Sequence, residues 1–429
     1  MVRGYPGRPT IFAGQELTLH AAADTCSEPF RAMFFRWCAS WEHIGVSGTW
    51  RAECGHPGSS MEPWNWPAYR FRVPREWPSG AYLAVLGDEG QADPCARNTT
   101  LFVVKTKPGS RRARILYKLP LFTYTAYNAE GGGSLYSGPA NQVTLQRPGC
   151  GAGGETFDSS CPDAYDTSSP RQTFAHWDAP FVRWLESNGY GVDYCTDLDI
   201  HEAENEWLDC YRLLLSVGHD EYWSEPMRRN VERFIRGGGN VAFFSGNTCW
   251  WRVHVDGHGT NLSCNKRKLP GEAEAFDQWM RIDPETRLTG VSFRYGGGWW
   301  TGRRTPLGYT VRDAGHWIYE GTGLRNGDVF GGGADQALIG YECDGVPPTG
   351  HGTLSDFHIL GFAGLTPEWE YRQTDPAAAT LGVHENRGTV FTAATTDWAR
   401  VLNQGDPVID QITRNVVNRL IIQGARRLA

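Results

Sequence analysis

The chain has no uninterrupted apolar run near the roughly 20 residues that a bilayer-spanning helix needs, so no membrane partner is expected. Positive charge is not in excess: 41 Lys and Arg stand against 48 Asp and Glu, a formal net charge of −7. No Lys/Arg run and no nucleic-acid-reading motif appears, which argues against a DNA or RNA partner. No apolar h-region follows Met1-Val2-Arg3-Gly4-Tyr5-Pro6, so no secretion signal is expected and a cytoplasmic location is. The 11 cysteines are odd in number, scattered and without a Cys-x-x-Cys pair. A zinc-finger site is therefore not expected, and most cysteines should be reduced thiols with no pairing legible. The Gly-x-Ser-x-Gly elbow and the Gly-Lys-Ser/Thr ending of a phosphate loop are missing as well.

Aromatic residues are abundant, with 18 Trp and 13% Phe, Trp and Tyr; such side chains fill cores or wall pockets. At 429 residues the chain exceeds one ordinary core. Residues 1–108 read as a β-sandwich-like domain, because short alternating runs such as Glu16–His20, Ala32–Trp37, Tyr69–Val73, Ala81–Leu86 and Thr100–Val104 recur between Gly and Pro. Thr106 to Arg112 reads as a linker. Residues 109–429 follow an α/β grammar. Arg114–Leu119 is a first strand, and Asp178 is expected to cap a helix with Phe181, Trp184 and Leu185 on one face. Tyr211–Val217 is a buried strand. Ser224 caps a helix with Met227, Val231, Phe234 and Ile235 on one face, and Asn240–Ser245 is the next strand. Strand, helix, strand at this spacing predicts a parallel sheet. Residues 283–395 read as a β-rich part, with Ala337–Glu342 as one run. Residues 149–170 read as a surface loop, and Asp406-Pro407 opens a last helix.

The chemistry concentrates at Ser216-Val217-Gly218-His219-Asp220-Glu221-Tyr222-Trp223-Ser224, where a strand ends and a helix begins. In open α/β sheets ligands bind at that edge. Extended backbone would aim His219 and Glu221 to one side and Asp220 to the other. Asn247, just past the adjacent strand, can approach them. Tyr127 and Tyr136 flank the Gly131-Gly132-Gly133 run after the first strand. Cys249 has no evident base beside it, which weakens any nucleophile reading. Helix capping, a turn Asn and packed aromatics remain the structural alternatives for these residues.

The fold pattern is similar to glutamine-amidotransferase-like (flavodoxin-like) folds. More specifically, Ala126-Tyr127-Asn128 with its Gly-rich run, Phe181 to Glu186, Tyr194 to Asp199, Ser216 to Ser224, Ala242 to Trp250, Gly321 to Leu324, Gly340-Tyr341-Glu342 and Thr396 to Ala399 occur in this order. Through them the chain resembles the large (β) subunit of N,N-dimethylformamidase over most of residues 114 to 425. That resemblance implies a hydrolase of amide-type C–N bonds with a small-molecule amide substrate and one iron ion, as Fe(III), held by two tyrosines and a glutamate. Carried over, these are Tyr127, Glu221 and a second tyrosine, Tyr136 or else Tyr165. The supporting His and Asn would be His219 and Asn247, and the general base Glu342. Trp223, Trp250 and Trp251 are expected to wall the substrate pocket. The chain is shorter than the family enzyme, and a homo-oligomer or a small partner subunit stays open. So do a biosynthetic enzyme of another class, a cyclase or ligase, and a non-catalytic sugar- or peptide-binding protein; metal content and product analysis separate them.

Overall fold

A computed structural model describes residues 1–87, 92–138, 141–204, 207–266, 276–348 and 356–422. In the N-terminal part the strands Val2–Pro6, Glu16–Ala23 and Ala68–Arg72 form one antiparallel sheet. Thr10–Phe12, Thr99–Lys105, Gly80–Gly87, Pro29–Trp37 and Trp41–Val46 form another in that order. Alternate residues of both sheets meet in one core: Leu17 and Leu19 from the first, Phe34, Phe102 and Val104 from the second. Phe34 stacks on Phe71 at 4.3 Å. Cys26 and Cys54 form a disulfide, and nine other cysteines are free thiols.

The larger sheet has nine strands. Five are parallel: Val192–Thr196, Ile115–Leu119, Leu213–His219, Asn240–Gly246 and Gly388–Thr392, in that spatial order. Counted along the chain this order is 2-1-3-4-5. The run Leu213 to Val217 is continuously apolar, apart from Ser216, because both faces are covered. Leu213, Leu215 and Val217 meet Phe181, Leu185, Ile412 and Val416 on one side. Leu214 meets Leu198, Val231 and Phe234 on the other. The strand starts at Leu213 rather than Tyr211, whose hydroxyl contacts Asp193 and Arg112.

The β-rich part does not stand apart. Ala378–Asn386, His358–Gly364, Tyr309–Val311 and Val329–Phe330 continue the main sheet antiparallel. Ser292–Gly298, Glu342–Gly345 and Tyr371–Arg372 form a small sheet beside it. The run at Ala337 is not a strand: Ala337 takes a positive φ, and the strand opens only at Glu342.

Two expected caps fared differently. Ser224 accepts a hydrogen bond from the Met227 amide at the start of helix Glu225–Arg236. Asp178 sits at the N-terminus of helix Ala179–Ser187 but makes no cap bond. Its carboxyl instead accepts from the hydroxyls of Tyr117 (2.9 Å) and Tyr124. Two phenols sealed under the sheet need an acceptor more than a helix end does.

Beneath the site lies a fully buried ion triad. Lys118 Nζ is 2.6 Å from Asp197 and 2.8 Å from Asp220, all three at 0% exposure. Asp197 also accepts from the Phe122 amide at the start of helix Leu121–Tyr127, and Asp220 from Ser216. The triad thus ties the first strand to the segments that carry Tyr127 and Glu221. Burial pushes the Asp197 carboxyl up, against the pull of Lys118. Lys118→Met should lower unfolding free energy by about 3–5 kcal/mol, since two buried carboxyls lose the cation they share. Urea denaturation measures it; a loss below about 1 kcal/mol, typical of surface pairs, would contradict the triad's structural role.

Candidate active site

Strand Leu213–His219 ends in a geometry that only glycine permits. Gly218 has φ +69°, and a Cβ there would lie 2.6 Å from the Cβ of Trp177. His219 and Glu221 then face one side, with His219 Nε2 3.7 Å from Glu221 Oε2, while Asp220 turns back to Lys118. The Glu221 amide donates to Thr123 Oγ1 at 3.0 Å. Thr123 belongs to helix Leu121–Tyr127, so this bond sets Glu221 beside the helix that ends in Tyr127. Tyr136 arrives through the Gly-rich loop. Buried Arg147 holds that loop by donating to the carbonyls of Asn128 (2.9 Å), Gly133 (3.0 Å) and Glu130.

Three side-chain oxygens converge. The Tyr136 hydroxyl is 2.5 Å from the Tyr127 hydroxyl and 2.8 Å from Glu221 Oε2. Tyr136 has one proton for two close oxygens. Burial, followed by the charge of Glu221, raises both phenols well above their ordinary pKa, so on their own they stay neutral. An oxygen-only set of this kind is what hard cations take. Among the described residues no three His, Cys, Asp or Glu side chains gather in this way.

Next to the cluster sits a buried charged pair. His219 Nε2 is 2.7 Å from Glu342 Oε2, although the oxygen lies off the ring N–H direction, so the contact is ionic rather than an aligned hydrogen bond. Asn247 Nδ2 donates to the same Oε2 at 2.8 Å, and Trp300 Nε1 donates to Oε1 at 3.0 Å. Burial alone would raise Glu342 and lower His219. Their mutual attraction outweighs it, holding the carboxyl below and the imidazole above their ordinary values. Asn247 adopts φ +49°, and its amide and that of Thr248 donate to the Asp344 carboxyl. Asn247 Oδ1 is buried without a partner.

The other ring nitrogen of His219 is oriented by Gln172. The indole of Trp177 can only donate, and it contacts Gln172 Oε1 at 3.2 Å. That oxygen also lies 2.8 Å from His219 Nδ1, so Nδ1 carries a proton. Gln172 Nε2 in turn donates to Asp158 and to the Tyr341 hydroxyl. Gln172, Asp158, Trp300, Asp344 and Arg147 have no local signature in the sequence; only the fold brings them here.

A cavity of about 460 Å³ opens over the cluster, lined by Tyr127, Tyr136, Glu221, Asn247 and Glu342, with Trp250 and Trp251 in its wall. Trp223 is not in that wall. Its ring is sealed over Lys118 at 5.2 Å and against Phe243, because residues 220 and 221 lie between two strands and break the alternation. Tyr165 is also elsewhere: its hydroxyl contacts the Arg304 backbone and its ring lies among the guanidinium groups of Arg303, Arg304 and Arg400. Burial raises the Cys249 thiol well above its ordinary value, which suits packing rather than attack. The segment expected as a surface loop is partly buried at Gly149 to Gly153, and its Phe157 and Asp158 line the cavity.

Among the described residues no helix is long and apolar enough to cross a membrane. Two curated proteins match the chain at low identity. An N,N-dimethylformamidase beta subunit from Alcaligenes sp is 24% identical over 299 residues, which is 58% of this chain and 38% of that protein. One from Paracoccus aminophilus is 23% identical over 296 residues, with the same coverage. The chain therefore spans little over a third of the length of these relatives. Among solved structures, the sporulation control protein Spo0M from Bacillus subtilis aligns with 12% identity over 25% of this chain and 48% of its own, at a TM-score of 0.16. A superposition that loose carries no argument. A family profile matches residues 39–411, across the linker and both parts of the fold. The chain belongs to the N,N-dimethylformamidase beta subunit-like, C-terminal family.

Proposed function

We propose that this chain hydrolyses amide-type C–N bonds, and that Tyr127, Tyr136 and Glu221 hold one iron ion, as Fe(III), for that reaction. One observation carries this proposal: a second phenol, Tyr127, and a carboxylate, Glu221, each from a different segment, lie within 2.8 Å of the Tyr136 hydroxyl. The donor set fits the ion. All three donors are hard oxygens, and phenols that burial keeps protonated need a strong Lewis acid to ionise them. The place fits as well. A 2-1-3-4-5 strand order is that of flavodoxin-like sheets, whose ligands bind where the connections from the first and third strands diverge. Tyr127 follows the first strand and Glu221 the third.

A bound ion of this kind would polarise an amide carbonyl and acidify a water molecule. The other tasks fall to side chains. Glu342, kept ionised by His219, Asn247 and Trp300, takes the proton of the attacking water. His219 donates from Nε2, and Asn247 from its second Nδ2 hydrogen, to the carbonyl oxygen as charge builds there. Gln172 keeps the imidazole turned for that task. Trp250 and Trp251 keep bulk water from the reacting bond.

Purified, iron-loaded protein given a panel of simple amides should release acid and amine in equal amounts. A chelator should stop the release and added iron should restore it. Turnover indifferent to chelation would contradict the metal-dependent reading.

A further inference from the structure

The size and lining of the cavity say more about the substrate than about the reaction. About 460 Å³ is in the range of pockets that take drug-sized ligands. A small dialkyl formamide would leave most of it to water. Much of the aromatic lining falls into two contiguous groups. In one, Tyr136 and Phe157 stack at 5.0 Å and 19°. In the other, Tyr371 stacks on Phe293 at 5.5 Å and 13° and packs beside Trp300 at 5.5 Å, while Trp250 meets Phe293 edge-on at 5.7 Å. Phe157 remains 47% exposed, and Tyr371 and Trp300 are only partly buried. Among the described residues, then, aromatic faces reach solvent within reach of the oxygen cluster. Tyr136 belongs both to the oxygen cluster and to the first aromatic group, and Trp300 ties the second group to the proposed base, its indole N–H bonding Glu342.

Resting on the hydrolase reading above, we infer that the substrate is an aromatic amide: one whose acyl or nitrogen substituent is a planar ring seated against Tyr371, Phe293 and Phe157. Planar rings gain offset-stacked and edge contacts with such walls that an alkyl group of equal area lacks. Hydrolysis breaks the carbonyl C–N bond; the acyl carbon gains the hydroxyl of water and the nitrogen gains the proton, giving an acid and an amine, one of them aromatic.

The test compares formanilide and N-methylbenzamide with N,N-dimethylformamide on the full, iron-loaded chain, following both turnover and quenching of tryptophan fluorescence. At least one aromatic amide should exceed the dialkyl formamide in kcat/KM by about tenfold or more, and Tyr371→Ala should remove about tenfold of that through KM. Phe157→Ala, at an exposed position, provides a second variant if Tyr371→Ala folds poorly. Equal or better turnover of N,N-dimethylformamide overturns this inference and leaves the hydrolase reading standing. Saturable binding of the aromatic amides without turnover, weakened by Tyr371→Ala, keeps the aromatic site and removes the hydrolase reading. Neither binding nor turnover overturns both.

Discussion

Replacing Glu342 by Gln is expected to lower kcat by about 10²–10⁴-fold, the usual worth of a positioned general base, with bound iron unchanged. The substitution keeps the volume and leaves Tyr127, Tyr136 and Glu221 untouched. It removes the charge, and with it the group able to take a proton from water. Two donors, Asn247 Nδ2 and Trp300 Nε1, now point at the two carboxylate oxygens. An amide offers only one acceptor oxygen, so one donor must also lose its partner. His219 loses the counter-charge 2.7 Å away, and the thermal midpoint should fall as well. Steady-state kinetics beside elemental analysis separate the two effects. A variant with full iron and kcat within a few-fold of the parent would take the base role away from Glu342.

Glu221→Ala should lose iron and hydrolysis together. Glu221 is the only carboxylate of the oxygen cluster, and it faces Tyr136 at 2.8 Å from a loop that Thr123 fixes against the first helix. Two neutral phenols alone are poor ligands, because burial already holds both far above their ordinary pKa. Removal of the carboxylate therefore leaves two neutral phenols as the remaining donors, and among the described residues no group of three or more His, Cys, Asp and Glu offers an alternative metal site. Activity below the detection limit with less than about a tenth of the parental iron is the expected pair of results. Folding should survive, since the Lys118 triad does not involve Glu221.

Much of the α/β part was legible because its signals are periodic and local. The apolar run at Leu213 reports a strand covered on both faces, and Met227, Val231, Phe234 and Ile235 report one helix face. Strand adjacency also let Asn247 be placed near His219, since His219 pairs with Gly246 in parallel register. Errors arose where local rules met burial. Asp178 looked like a cap, yet two buried phenols claim it. Trp223 was expected in the pocket wall with Trp250 and Trp251, yet the alternation breaks between the two strands and its ring is sealed over Lys118. Tyr136 was preferred to Tyr165 through the resemblance alone, since the Gly-rich loop that carries it is held by Arg147 from outside, which no local pattern shows. Gln172 gave no signal at all. It lies 47 residues from His219 and takes φ +60°, a conformation that tertiary packing imposes rather than composition.

The most direct measurement is the visible absorption spectrum of the purified chain after loading with iron, taken beside its iron content. If Tyr127 and Tyr136 grip Fe(III) as phenolates, about one iron per chain and a ligand-to-metal charge-transfer band should appear, and Tyr127→Phe should weaken and shift that band. Iron bound at full stoichiometry with no visible band, or a band indifferent to Tyr127→Phe, would mean that the clustered oxygens do not hold the ion.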